Sequence, residues 1–155
     1  MAKRKTSAII SLVICALCAA ALLGLVCAFP AFLRWFYIDV HGLASGSDHL
    51  NMICGLLIPA FYVCAPFAAA ALYMLIAFLV NILRDRIFIR RNATYLRLIS
   101  WCCYAVMLVT LIPGLKYFPL LIITCAMGTV GTLLRVMKNM TQTAVELREE
   151  NELTI

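Results

Sequence analysis

Four long apolar segments, separated by short polar ones, occupy most of the chain and restrict the folds that it can adopt. A helix needs about 20 apolar residues to cross the roughly 30 Å of hydrocarbon in a bilayer. Hydrophobic residues make up 65% of the 155 residues, whereas about half is usual in soluble domains. No room remains for a separate soluble domain. We predict an all-α integral membrane protein, a four-transmembrane-helix bundle with a cytoplasmic C-terminal helical extension, over residues 1–155.

The polar segments predict where the helices begin and end. The spans are expected at residues 8–29, 56–83, 96–112 and 120–134. Between and after them lie outer loops at 34–51 and 113–119, an inner linker at 84–95 and a cytoplasmic tail at 136–155. Pro59 and Pro66 predict a bend near the outer end of the second span, because each removes a backbone donor. Pro113 and Gly114 predict the start of a turn, and Asn92 is a candidate cap for the third helix.

The distribution of basic residues predicts the orientation of the helices. With four spans, all but two of the 13 Lys and Arg residues fall on one side, and the exceptions are Arg34 and Lys116. Short loops rich in Lys and Arg stay in the cytoplasm, so we expect both termini there. The net charge of +6 suits anionic lipid headgroups, and no direct nucleic-acid binding is expected. The predicted headgroup contacts are Arg84, Arg86, Arg90 and Arg91.

Small residues recur at every fourth position in three of the predicted spans. Helices in lipid associate by close packing, and small residues let two backbones approach. The pattern predicts a compact bundle, and it leaves open whether the packing is within one chain or within a homo-oligomer. The three stripes are Ala16/Ala20/Gly24, Ala60/Cys64/Ala68 and Thr124/Gly128/Thr132.

No catalytic site, cofactor or metal site is predicted. No Asp, Glu, Lys, Arg or His lies deep within a predicted span, which weighs against a proton relay or an ion path. The sequence contains no glycine-rich phosphate loop, serine-nucleophile motif or zinc-protease motif. We therefore expect a non-enzymatic protein.

Two groups of residues leave chemical alternatives open. Cys15 and Cys18 form a CxxC on one helical face, a spacing used in redox sites, although packing of buried thiols is the simpler interpretation. The first outer loop holds residue types that bind divalent metals, but nothing in the sequence determines their geometry. These residues are Asp39, His41, Asp48 and His49.

The tail carries a narrow apolar stripe, formed by Leu133, Met137, Met140, Ala144 and Leu147. The alternating spacing of four and three residues is typical of a helix that pairs with another helix. The stripe is either part of a solubilising end to the fourth helix or a docking surface for a cytoplasmic protein or a second copy. The predicted partner-binding residues are Met137, Met140, Ala144, Leu147, Glu150, Asn151, Leu153 and Thr154.

Two segments resemble a known family. The linker RDRIFIRRNATYLRLI (84–99) and the ending ELREENELTI (146–155) are similar to those of the uncharacterised bacterial four-span family called domain of unknown function two-nine-seven-five. Its members typically end in the signature that residues 150–155 match. The resemblance implies a bacterial inner-membrane protein. Because members are often encoded beside a Cro/CI-type helix-turn-helix regulator, it also implies a cytoplasmic transcription regulator as partner.

These observations lead to a binding or regulatory protein as the expected function. The alternative is an accessory subunit or small transporter for an apolar compound or peptide, since a hydrophobic cavity needs no buried charge. A membrane thiol oxidoreductase that uses Cys15 and Cys18 is the remote alternative.

Overall fold

The structure, a computed structural model, describes residues 2–40, 42, 47–84 and 90–153, with backbone only for residues 2–8, 148, 149 and 151–153. Four helices account for most of these residues: α1 (Ala2–Trp35), α2 (Asp48–Leu83), α3 (Arg90–Gly114) and α4 (Phe118–Leu153). The end of α1 continues into a short π-helix at Phe36–Val40. Each of the four is long and apolar enough to cross a membrane, and the described residues contain no strand. The predicted all-helical fold class is confirmed.

The helices pack in the order in which they follow one another along the chain. In the described ranges, α1 packs on α2, α2 on α3, and α3 on α4, whereas α1 and α4 are not in extensive contact. Successive helices run in opposite directions, so the end of α2, the start of α3 and the second half of α4 meet at one end of the molecule. We call this end, which carries Arg84, Arg90, Arg91, Arg135 and Lys138, the basic end and the opposite one the far end.

The α3–α4 interface is the most extensive in the fold. A Cβ added at Gly131 would lie 3.3 Å from Cys103 Cβ, so the two backbones approach closely there. Ser100 Oγ donates to Gly131 O at 2.8 Å, and the hydroxyls of Thr110 and Thr124 lie 2.9 Å apart. Hydrogen bonds between helices reinforce such close packing.

The three predicted stripes of small residues have different outcomes. The α4 stripe packs on α3 through buried Thr124 and through Thr132, whose hydroxyl lies 3.2 Å from Tyr104 Oη. The α2 stripe is half-buried. The α1 stripe is exposed, and a Cβ at Gly24 would meet nothing within 4 Å. No helix of the described ranges covers this face of α1, so the stripe does not pack within the chain, and packing between copies stays a prediction.

The α1–α2 pair is held together mainly at the far end. The rings of Phe29 and Phe61 stack at 3.9 Å between centroids, and Tyr62 Oη donates to Val26 O at 2.9 Å. A small core lies beside them, formed by the buried residues Leu33, Leu50 and Cys54.

The first predicted loop, 34–51, is shorter than the sequence indicated. Helical structure continues to Val40 because the apolar residues Tyr37 and Ile38 pack against the far-end core. α2 then begins at Asp48, not at residue 56, and Ser47 caps it by accepting a hydrogen bond from Leu50 N at 3.3 Å. Serine is a favoured N-cap. α2 is one helix through Pro59 and Pro66, and the predicted bend stays a prediction.

The second predicted loop and the inner linker are also shorter. α3 includes Pro113 and Gly114, since Tyr117 N still bonds to Pro113 O at 2.9 Å, and the turn is confined to residues 115–117. Of the linker 84–95, residues 90–95 are helical. Asn92 is therefore not a cap. It is the third residue of α3, where it is fully buried.

Candidate functional site

The second half of α4 extends beyond the apolar part of the molecule. With 36 residues, α4 is about 54 Å long at about 1.5 Å per residue, well above the roughly 30 Å of a bilayer core. About 20 residues of α4, counted from Phe118, span such a core, which reaches Met137 and Lys138 at the basic end. We call residues 137–153 the α4 extension.

One face of the α4 extension packs on α3. Val145 is only 3% exposed, and Lys138 and Thr141 are half-buried on the same face. Opposite them, Ala93 and Leu96 of α3 are buried. The start of α3 thus holds the extension in place, and the extension is part of the folded unit.

A second face of α4, which begins at Leu133 in the last turn of the span and continues along the α4 extension, is apolar and uncovered. The exposed fractions of Leu133, Met137, Met140 and Leu147 lie between 55% and 69%, and Ala144 is half-buried. At 3.6 residues per turn, these five residues fall within about 40° of one line, whereas Val145 lies about 120° around the helix. Packing on α3 therefore leaves the whole predicted stripe, which we call the tail stripe, open at the surface.

The other predicted partner-binding residues are placed less fully. Glu150 is exposed near the end of α4. Asn151 and Leu153 continue the helix, with only their backbone described, and Thr154 lies outside the described residues. The role of this group as a docking surface stays a prediction.

A groove lined by basic side chains runs between α3 and the α4 extension. Its outer part is a cavity of about 360 Å³, and its inner part, towards the apolar spans, is a cavity of about 310 Å³. Arg97 and Lys138 line both cavities, so we treat them as one α3–α4 groove. The outer part also has Arg90, Ala93, Thr94, Gln142, Val145 and Glu146, and the inner part has Ser100, Trp101 and Arg135.

Hydrogen bonds between helices hold the walls of this groove. Asn81 Nδ2 of α2 donates to Asn92 Oδ1 of α3 at 2.9 Å, which ties the first turn of α3 to the end of α2. The bond from Ser100 Oγ to Gly131 O ties α3 to α4 at the inner part. The guanidinium carbon of Arg135 lies 5.7 Å from the centre of the Trp101 ring, a cation–π geometry that orients the arginine.

The four arginines predicted to contact lipid headgroups do not form one cluster. Arg90 lines the groove. Arg84 is exposed just after α2, Arg91 lies over the Tyr95 ring at 5.7 Å, and Arg86 is outside the described residues. Sequence reasoning missed Arg97, Arg135 and Lys138 as a group. Their spacing held a signal, because Arg97 and Trp101 share a helical face, as do Arg135 and Lys138.

The structure does not bring together the cysteines of the possible redox site or the Asp and His residues of the possible metal site. Cys15 is buried and Cys18 exposed, and both are free thiols. Asp39, Asp48 and His49 are exposed, and His41 lies outside the described residues. Within the ranges that the structure describes, no three His, Cys, Asp or Glu side chains group as metal ligands would.

Comparison of the sequence with models of known protein families identifies the family of this chain. The model of a family described as "Protein of unknown function (DUF2975)" matches residues 2–155. The chain belongs to this family. The resemblance read from the linker and the C-terminal signature is thereby confirmed. Searches of curated proteins and of solved structures gave no match.

Proposed function

We propose that this DUF2975 protein is a non-enzymatic, multi-pass protein of the bacterial cytoplasmic membrane that binds a cytoplasmic protein through the tail stripe. The observation that carries the proposal is an apolar helical face that its own chain leaves uncovered, on a segment that extends beyond the apolar spans. Met140 and Leu147 of this face lie beyond the span and are exposed, and apolar side chains exposed to water in a row are typical of an interaction site.

The orientation follows from charge. The basic end holds Arg84, Arg90, Arg91, Arg97, Arg135 and Lys138. Because loops rich in Lys and Arg are retained in the cytoplasm, the α4 extension lies in the cytoplasm, where a soluble partner has access to it.

The shape and chemistry of the tail stripe suit one amphipathic helix. The spacing of four and three residues places the apolar side chains of the stripe in one row, as in a helix that pairs with another helix. The two methionines of the stripe are flexible and adapt to different partner surfaces. The sequence adds negative charge close to the end of the stripe, at Glu149, Glu150 and Glu152. A DNA-binding regulator is basic, so a helix-turn-helix regulator, as the family resemblance implies, is complementary in charge.

A binding experiment with a helix-turn-helix regulator of the Cro/CI type, the class that the family resemblance implies, tests the proposal. The full-length protein in detergent is immobilised, and regulator binding is compared for the wild type and for Met140→Asp with Leu147→Asp. The matched control is Asn139→Asp with Thr143→Asp, which adds the same charge to the polar, exposed face of the same helix. We expect binding to the wild type and the control, and loss of binding in the stripe variant.

Three results would contradict the proposal. If both double variants bind like the wild type, the tail stripe has no docking role. If the stripe variant changes only the oligomeric state of the purified protein, a second copy occupies the stripe. A knockout with altered resistance to apolar compounds and unchanged transcription would instead favour the transport alternative.

A further inference from the structure

The geometry points to a second binding site: we propose that the α3–α4 groove binds a phosphate group. Arg97 and Lys138, which line both parts of the groove, are the central contacts, and Arg90 and Arg135 flank them. This site lies on the α3-facing side of α4, whereas the tail stripe lies on another face. The inference therefore stands whether or not a partner protein binds the stripe.

The charge in the groove is strongly unbalanced. Among the lining side chains that the structure describes, four are basic and one, that of Glu146, is a carboxylate. Among the residues that the structure describes, no carboxylate lies within ion-pair distance of Arg97 or Lys138; Lys138 Nζ donates only to the amide oxygen of Asn139, at 3.3 Å. Converging like charges repel one another, and a bound anion removes that cost.

The neutral polar side chains of the groove bond to their own helix or to the neighbouring backbone. Gln142 Nε2 donates to Glu146 Oε1 at 3.2 Å, so the one carboxylate is engaged by its own helix. Thr94 Oγ1 donates to Arg90 O at 3.3 Å, and Ser100 Oγ to Gly131 O. Arg97 and Lys138 contribute a guanidinium and an ammonium group to both parts of the groove, and these are the groups that bind phosphate best.

The size and position of the groove favour a phosphate carried by a lipid. The outer cavity of about 360 Å³ is in the range of about 300–1,000 Å³ that small-molecule sites occupy. The inner part opens beside the exposed ring of Trp101 with Arg135 over it. Trp is enriched where hydrocarbon meets headgroups, so this part of the groove is at the level of lipid phosphates. A soluble phosphate compound would enter the same groove from its outer part.

Lipid binding by the full-length protein tests the proposal and separates the two sources. Native mass spectrometry in detergent measures binding of phosphatidylglycerol, of phosphatidylcholine as the zwitterionic control, and of inorganic phosphate and glycerol phosphate as soluble probes. The groove variant is Arg97→Gln with Lys138→Gln. The matched variant is Arg34→Gln with Lys116→Gln, which removes the same charge from exposed positions at the far end, outside the groove.

We expect the groove variant to bind phosphatidylglycerol at least about tenfold more weakly, the effect of losing charge-assisted hydrogen bonds, and the matched variant to bind as the wild type does. Equal or tighter binding of glycerol phosphate would support the site and assign it to a soluble ligand. An equal loss in both variants would mean diffuse attraction of charges and would overturn the proposal. If the groove variant does not fold, the test uses the wild type alone. Equal affinity of the wild type for phosphatidylglycerol and phosphatidylcholine would then overturn the proposal.

Discussion

Asn81 Nδ2 and Asn92 Oδ1 are 2.9 Å apart, and this hydrogen bond joins the end of α2 to a residue of α3 that is 0% exposed. A buried amide that loses its hydrogen-bond partner has lost its contacts with water without gaining a new bond, and this destabilises the folded state. The pair therefore fixes the first turn of α3, the turn that forms one wall of the basic groove and packs on the α4 extension.

Replacement of Asn92 by Leu is expected to destabilise the protein by about 1–3 kcal/mol, because Asn81 then stays half-buried without this bond. The measurement is reversible unfolding in mixed detergent. Asn139→Leu, at an exposed position of α4, is the control and should change little. An effect of Asn92→Leu as small as that of the control would show that the bond does not hold α3.

Gly131 is predicted to accept no large side chain. A Cβ there would lie 3.1 Å from Tyr104 Cε1, so Gly131→Leu must push α3 and α4 apart, at a cost of about 1–3 kcal/mol for overpacking. Gly24→Leu is the matched control, because a Cβ at Gly24 meets nothing within 4 Å. Thermal unfolding of the two variants in the same detergent compares them, and equal stability would contradict the close α3–α4 approach.

Cys15 is predicted to be a packing residue, and Cys18 is predicted to have neither a packing nor a redox role. Cys15→Ala should destabilise the protein by about 1 kcal/mol, since the thiol is buried and its removal leaves a small cavity. Cys18→Ala should have no measurable effect, because Cys18 is exposed. The same unfolding assay applies, together with a test of regulator binding. Loss of binding or of a thiol-dependent activity in both variants would favour the oxidoreductase alternative.

Both termini are predicted to lie in the cytoplasm. Short segments rich in Lys and Arg resist translocation, and the basic end of the fold contains the start of α1 as well as the end of α4. Fusions of a fluorescent protein that matures only in the cytoplasm, placed at either terminus, should both be bright. A matching phosphatase fusion, active only outside, should be inactive at both. A phosphatase signal at one terminus would remove the topology on which the proposed function depends.

The outcome of the three small-residue stripes illustrates how far sequence reasoning reached. The stripe with Thr124 and Gly128 does face another helix, as predicted. The stripe with Ala16 and Gly24 has the same spacing but no neighbour in the described fold. Spacing identifies a face that permits close packing, but it carries no information about which element lies opposite.

The helix ends show the same distinction. The aromatic segment after Arg34 looked like a loop, yet Tyr37 and Ile38 are helical because Leu50 and Cys54 of α2 offer them an apolar surface. Asn92 looked like a cap, yet it is buried inside α3 because Asn81 supplies a partner. In each case a contact from a distant part of the chain decided the local structure.

By itself, the sequence determined the number of helices, their capacity to cross a membrane and the apolar row on α4, since these depend only on the length and period of apolar residues along one segment. Only the tertiary structure decided that α3 covers Val145 and leaves Met140 exposed. It also decided that Arg97 and Lys138 share one groove. These two residues are on different helices, and their proximity arises from packing across the α3–α4 interface, which no local pattern contains.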